Sequence, residues 1–182
     1  AGEAVTTGTN NTLIGALTGD ALTVSVDNVA VGGNALSADT KGQNSVALGA
    51  GALQSQNFTS ATNTYNTAVG RGAGNAITTG IQNTIVGALA GLSLTDADRN
   101  TAVGYQALTT DTQGSKSTAI GYNALSLQNF SSATDSLNTA VGFEAGENVT
   151  TGIQNVLIGA LAGDAFTDAD YNVALGYASL SG

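Results

Sequence analysis

A nine-residue motif recurs ten times along this chain at nearly constant spacing. Residues 100–108 (NTAVGYQAL) return as residues 117–125 (STAIGYNAL) and, with changes after the glycine, as residues 138–146 (NTAVGFEAG). A glycine at the fifth place anchors every copy; the ten anchors are Gly15, Gly32, Gly49, Gly70, Gly87, Gly104, Gly121, Gly142, Gly159 and Gly176. Consecutive anchors are 17 or 21 residues apart. Such a fixed short period is typical of stacked repeats, because each repeat buries its apolar face against the next.

The spacing has a second level of order. Three intervals of 17 residues and one of 21 together span 72 residues, and sequence beyond the motif repeats with that longer period. Residues 77–83 return at 149–155, and residues 56–62 return at 128–134. The sequence predicts one repeat domain over residues 1–182, with two and a half 72-residue units of four coils each. We expect this domain to be a segment of a longer fibre.

The residues before each anchor glycine alternate in a way that indicates a short β-strand. The residue directly before the glycine is aliphatic in all ten copies, and the residue two places earlier is always Thr or Val. Residues two apart share one face of a strand. We therefore expect the Thr/Val and aliphatic positions to form the inner face of each coil. A regular Thr column can also indicate an ice-binding surface, but its shared face with the aliphatic column favours semi-buried packing.

Three further positions of the motif have a structural interpretation. The anchor glycine marks a bend where a left-handed backbone or a close neighbour excludes any Cβ. Three residues later stands Ala in eight of the ten copies, which indicates close packing. Asn leads eight of the ten motifs, and stacked Asn side chains can hydrogen-bond from one coil to the next. The predicted fold is therefore all-β: a parallel β-solenoid with ten coils of 17 or 21 residues.

Composition excludes several classes of function. The formal net charge is -9, with only four Lys and Arg residues, so binding to nucleic acid or to an anionic membrane is not expected. The chain has no His and no Cys, which removes imidazole acid–base catalysis, thiol nucleophiles and common zinc sites. We do not expect an enzyme. A carboxylate-based glycan hydrolase remains an alternative, although it needs two carboxylates about 5–9 Å apart in a cleft and the repeat offers no unique pair.

No cofactor is expected, and calcium has only weak candidate ligands. Two turns carry the sequence Asp-Ala-Asp, with Asp96 and Asp98 in one and Asp168 and Asp170 in the other. Calcium prefers such oxygen ligands, and the turns would stack if neighbouring units align. The equivalent first turn has Val24 and Val26 in place of the aspartates, so solvated Asp turns are the alternative.

The 21-residue coils are the candidate attachment loops, because insertions in solenoids bulge outward and often contact partners. Their candidate contact residues are Gln56, Asn57, Phe58, Gln128, Asn129 and Phe130. Asn57 and Asn129 also fit the N-glycosylation pattern, which arises readily by chance in a chain rich in Asn, Ser and Thr. Aromatic residues directly after four anchors, at 105, 122, 143 and 177, could line a sugar-binding groove or shield a seam between chains.

Residues 44–49 (NSVALG) and 117–121 (STAIG) resemble the head repeats of trimeric autotransporter adhesins. Residues 105–108 (YQAL), in a 17-residue coil, are similar to repeats of phage tail-fibre-like proteins, marine ones especially. The resemblance implies a left-handed β-roll, assembly as a homotrimer and an extracellular location on a virion fibre or cell surface. It implies a rigid adhesive segment that spaces and presents attachment loops to a cell-surface glycan or receptor. The alternative is a purely architectural filament that binds no receptor.

Overall fold

The computed structural model, which describes residues 1–181, is a parallel β-solenoid of ten coils, as predicted. Each coil contributes one three-residue strand to a ten-stranded parallel sheet. These strands are β1 (Thr12–Ile14), β2 (Val29–Val31), β4 (Val46–Leu48), β6 (Thr67–Val69), β7 (Thr84–Val86), β8 (Thr101–Val103), β10 (Thr118–Ile120), β12 (Thr139–Val141), β13 (Val156–Ile158) and β14 (Val173–Leu175). Residues 1–181 contain no helix that is long and apolar enough to cross a membrane.

The sheet keeps one register whether the interval between strands is 17 or 21 residues. Thr84 pairs with Thr101 across a 17-residue interval, and Val46 pairs with Thr67 across a 21-residue interval. The four extra residues are therefore absorbed between strands. Two-residue strands form beside the longer coils: β3 (Gly42–Gln43) pairs with β5 (Thr62–Asn63), and β9 (Gly114–Ser115) pairs with β11 (Thr134–Asp135).

The prediction for the inner face of the strands is wrong. The middle residue of each strand faces the core, as Ala30, Ala102 and Ala140 show with no exposed surface. Its two neighbours point outward, and Ile120 is 38% exposed. Alternation establishes which residues share a face, but not which face is inside. The interior is narrow at this point, because a second column of small buried residues follows each anchor, so most coils accommodate only Ala there.

The outward Thr/Val and aliphatic side chains of the ten-stranded sheet form what we call the sheet face. The always-aliphatic column comprises Ile14, Val31, Leu48, Val69, Val86, Val103, Ile120, Val141, Ile158 and Leu175. Within the sheet most of these side chains are half-buried by the coils above and below, and their outer surface meets solvent. The sheet face therefore carries a continuous aliphatic column along the rod, beside a column of Thr and Val.

Eight of the ten coils fill the core beside the strand in one of two ways; the fourth and eighth coils have a small residue at both positions. In coils such as the sixth, the strand supplies Ala102 and Leu108 follows four residues after the anchor, both fully buried. In the fifth coil the pattern is reversed, with Ile85 in the strand and Gly91 after the anchor. A Cβ on Gly91 would lie 2.9 Å from Leu94 Cδ1 and 3.0 Å from Ile85 Cδ1. The glycine therefore leaves room for the larger strand residue.

This complementarity predicts the effect of emptying one coil. Ile85→Ala should lower the free energy of unfolding by about 3 kcal/mol, because Gly91 leaves no side chain that can collapse into the cavity. The double variant Ile85→Ala with Gly91→Leu has the residues of the sixth coil at these two positions, and it should lose less stability than the sum of the two single effects. Urea unfolding of the four proteins of this cycle measures the coupling. Additive effects would contradict the proposed exchange of volume.

Residues at the corners of each coil adopt positive φ at three positions. One position lies five residues before the anchor, and the other two lie two and four residues after it. Twenty-three of these residues are not glycine, and they include the buried Leu108 with a φ of 54°. Left-handed conformations are unfavourable for such side chains. Because the same corner recurs in all ten coils, the stack determines the backbone there and overrides local preference.

Candidate functional site

The predicted Asn ladder is confirmed and holds successive coils together. The side-chain oxygen of Asn83 accepts a hydrogen bond from the backbone N–H of Asn100 at 2.9 Å. Its amide nitrogen donates to the carbonyl oxygen of Ala97 at 2.8 Å. The six Asn side chains inside the ladder are buried, and each bridges two points on the next coil. Ser45 and Ser117 interrupt the ladder, each in the coil before a 21-residue interval.

A buried carboxylate replaces the ladder at each interruption. Asp39 has no exposed surface, and its Oδ2 accepts a hydrogen bond from Gln56 Nε2 at 2.6 Å. Its Oδ1 accepts from the backbone N–H groups of Gly42 at 2.9 Å and Phe58 at 3.1 Å. The carboxylate therefore ties the second turn of one coil to the start of the longer coil above it.

Gln56 extends this cluster to the next Asn of the ladder. Its Nε2 also donates to Ser45 Oγ at 2.9 Å, and its Oε1 accepts from Asn66 Nδ2 at 2.9 Å. Ser45 Oγ lies 2.6 Å from Thr64 Oγ1. The same arrangement recurs 72 residues later at Asp111, Gln128, Ser117, Ser136 and Asn138. Both copies form a hydrogen-bonded core for the longer coil.

Four of the six predicted attachment residues are consequently not available to a partner. Gln56 and Gln128 have no exposed surface, and Phe58 and Phe130 are only 8% and 6% exposed. The prediction that these side chains contact a partner is wrong, because they are buried in the interior beneath the bulge. Asn57 and Asn129 are exposed, and each side-chain oxygen accepts a hydrogen bond from a Thr hydroxyl at 3.1 Å. The exposed crests of the bulges are residues 59–61 and 131–133.

The sequence analysis missed the aspartates on which these coils depend. Asp39 and Asp111 occupy equivalent places in the 72-residue repeat, each three residues before a glycine. Each accepts a hydrogen bond from that glycine's N–H, at 2.9 Å for Gly42 and 3.0 Å for Gly114. The Asp-x-x-Gly pattern, which recurs with the 72-residue period, is the sequence feature that could have identified them.

The two Asp-Ala-Asp turns do not form a stacked site. They lie four coils apart, which is about 19 Å at the rung spacing of a β-sheet. The Oδ1 atoms of Asp98 and Asp170 each accept a hydrogen bond at 2.8 Å from the backbone of the preceding coil, at Ile81 and Ile153. Asp96 and Asp168 accept hydrogen bonds from neighbouring Thr hydroxyls instead. Among residues 1–181, no three His, Cys, Asp or Glu side chains group as metal ligands.

Three aromatic side chains form a ladder on the turn face, our name for the six residues after each anchor glycine. The ring centroids of Tyr105 and Tyr122 are 5.6 Å apart, and those of Tyr122 and Phe143 are 5.2 Å apart. The rings are nearly parallel, with interplanar angles of 14° and 8°. Each side chain is about half exposed, so the ring edges and the two phenol hydroxyls line the surface.

A shallow groove of about 330 Å³ lies further along the same turn face. Glycine replaces a side chain at Gly51 and Gly72, so the floor of the groove is backbone. Arg71 lies at its side, and the amides of Asn34, Gln54 and Asn75 lie around it. Asn75 Nδ2 donates to the carbonyl oxygen of Gly51 at 2.9 Å, which fixes part of the wall.

Charges are unevenly distributed over the turn face. From the second to the seventh coil it carries none of the 13 acidic residues, and Arg71 is its one cation. In the eighth coil, partial burial and the nearby carboxylates of Glu147 and Asp164 raise the pKa of Glu144. The acidic end of the turn face therefore begins where the aromatic ladder ends.

No family model matches this chain, and no curated protein or solved structure matches it either. The assignment of function therefore depends on the surfaces of the solenoid itself. These are the apolar sheet face, the exposed crests of the longer coils, and the turn face with its groove and ladder.

Proposed function

We propose that this chain is a segment of an extracellular homotrimeric fibre, a rigid non-catalytic spacer that also presents attachment surfaces. The observation that carries the proposal is the sheet face. Ten aliphatic side chains stand outward in one unbroken column, beside a second column of Thr and Val. A monomer cannot bury this column in its core, because Ala already fills the core side of the sheet.

The size of the sheet face favours burial against sister chains. Ten rungs and three residues per strand give a surface about 48 Å long and 10 Å wide, or about 500 Å². This value lies near the upper end of the apolar patches that monomers leave exposed. Packing three such faces around an axis would remove them from water and provide hydrophobic stabilisation that a single thin rod lacks.

The rest of the rod suits a spacer that binds by repetition. Buried Asn side chains link coil to coil, which stiffens the rod along its axis. Three chains would place three copies of every exposed crest and turn face around the fibre. Weak contacts repeated in this way give high avidity without a single strong site.

Replacing Val103 at the middle of the sheet face tests the assembly. The unmodified chain is expected to show three times its chain mass of 17.8 kDa by light scattering. Val103→Glu should shift it to monomer, because an unpaired charge buried between chains costs several kcal/mol. Gln106→Glu, which adds the same charge on the turn face, serves as the control and should stay trimeric. A monomeric unmodified chain would contradict the proposal.

Ice binding is a second candidate function for the sheet face. The Thr column favours it, because these side chains point outward and the fourth to eighth coils all carry Thr there. A flat, regular array of Thr hydroxyls and methyl groups is the type of surface that orders water in an ice-like lattice. Thermal hysteresis in a monomeric chain would support this function, and a trimer without hysteresis would exclude it.

A glycan array distinguishes an adhesive fibre from an architectural filament. An adhesive fibre should retain selected cell-surface glycans, whereas a pure spacer should retain none. The trimeric assembly is common to both, so the array tests attachment separately from assembly.

A further inference from the structure

We propose that the turn face from the second to the seventh coil binds a linear carboxylated oligosaccharide. This inference rests on the proposed attachment role and assigns that role to the turn face instead of the longer coils. Its components are the groove floored by Gly51 and Gly72, the cation Arg71, and the aromatic ladder that begins at Tyr105.

The groove exists because two successive coils lack a side chain where other coils have one. Gly51 and Gly72 have φ values of 70° and 67°, and the equivalent residues Asn34, Leu89 and Gln106 adopt the same region. The backbone therefore does not require glycine here. A Cβ on Gly51 would meet only side-chain tips, at 3.2 Å from Asn75 Nδ2 and Gln54 Oε1. The glycines thus open space without being needed for the corner.

Charge identifies the class of ligand. Arg71 is exposed, and its guanidinium makes no hydrogen bond or ion pair within residues 1–181. No acidic residue lies on the turn face of its own coil or of the two coils on either side. Guanidinium groups bind carboxylates through two parallel hydrogen bonds. The chain as a whole has a net charge of -9 and would repel an anion. This strip has no acidic residue and one free cation, so an anionic ligand is favoured only here.

The ladder indicates an extended ligand rather than a single sugar. It continues the line of Arg71 and Ala88 along the rod, since all these residues directly follow their anchors. It offers one ring edge per coil, with centroids 5.6 and 5.2 Å apart, and hydroxyl groups at Tyr105 and Tyr122. Aromatic side chains with a polar tip suit the mixed polar and apolar surface of sugars. A linear polymer lying along the rod would meet the groove and the ladder in succession.

The test is a calorimetric titration of the 182-residue chain with β-1,4-linked hexamannuronate, against neutral β-1,4-linked mannohexaose. We expect binding of the uronate and at least about tenfold weaker binding of the neutral sugar, because each charge-assisted hydrogen bond contributes about 1.5–3 kcal/mol. Arg71→Gln should weaken uronate binding by about tenfold or more. Gly51→Asn, which copies the neighbouring Asn34, should fill the groove and weaken binding similarly. Arg99→Gln, which removes an exposed cation elsewhere on the rod, should change it less than twofold.

The outcomes separate this inference from the proposed function. Absence of binding at millimolar uronate, equal affinity for the neutral sugar, or an unchanged affinity of Arg71→Gln would overturn the inference. Light scattering on the same samples reports the assembly. A trimer that fails to bind overturns only the glycan site, whereas a monomer that binds overturns only the trimeric fibre. Circular dichroism shows whether each variant has folded.

Discussion

Gly104→Ala is expected to disrupt the middle of the solenoid and to lower the free energy of unfolding by at least about 5 kcal/mol, among the largest effects of a single substitution. The backbone at Gly104 has a φ of 133°, which other residues rarely adopt. An added Cβ would also lie 2.6 Å from the carbonyl carbon of Gly121 in the next coil, and closer to its oxygen. Both obstacles are backbone, so no side chain can move aside.

Gly33→Ala is the matched control for this prediction. Gly33 directly follows an anchor, has no positive φ, and offers a Cβ open space with the nearest atom 3.9 Å away. Its replacement should be neutral or stabilising by up to about 1 kcal/mol, because Ala restricts the unfolded chain. Urea unfolding followed by circular dichroism measures both variants. Equal stability of the two would show that the anchors do not meet each other in a stack.

Asp111→Ala is expected to cost about 4 kcal/mol, the second largest effect. The substitution removes the acceptor for Gln128 Nε2, at 2.6 Å, and for the N–H groups of Gly114 and Phe130, at 3.0 and 3.2 Å. The two N–H groups are buried and would be left without a partner, at about 1–3 kcal/mol each before relaxation, and Gln128 Nε2 would keep only Ser117 Oγ as an acceptor. Phe130 should then leave the interior, which would loosen the longer coil as a unit.

Asp135→Ala provides the comparison, on the longer coil that Asp111 holds. Asp135 is exposed and pairs only with Lys116 at the surface, so its loss should cost less than about 1 kcal/mol. Unfolding midpoints measure the difference, and hydrogen exchange of residues 128–138 shows whether the loss is local. If both aspartates proved equally dispensable, the buried cluster would not be what holds the longer coils.

The regular parts of the fold were predictable because they repeat. The period gave the coil count, and the alternation before each anchor located all ten main strands. Asn at the head of the motif predicted the ladder, since the same side chain at the same level of every coil lies within hydrogen-bonding reach of the next coil. Ala three residues after eight of the ten anchors predicted close packing, and Ala107 and Ala124 are completely buried.

Other features were not predictable from the pattern alone. The strand Thr101–Val103 alternates, but alternation is symmetric and does not distinguish core from solvent; only the width of the interior decides it. Leu108 gives no local sign of a left-handed backbone, because its neighbours in the stack impose it. Phe58 resembled an exposed contact residue in an insertion, yet its N–H binds a buried aspartate 19 residues earlier in the chain. Each of these features depends on contacts between coils, which the sequence of a single coil does not reveal.

The account depends on in-register stacking, and distances between spin labels at Thr7, Thr79 and Thr151 test it most directly. These exposed residues occupy the same place in successive 72-residue units, and the chain contains no cysteine to interfere with labelling. Four coils separate each neighbouring pair, so pulsed electron resonance on labelled chains diluted with unlabelled chain should give about 19 Å for both pairs. The outer pair should give twice that, about 38 Å, because the rungs add along one axis. An outer distance well short of that sum, or two unequal inner distances, would contradict the solenoid.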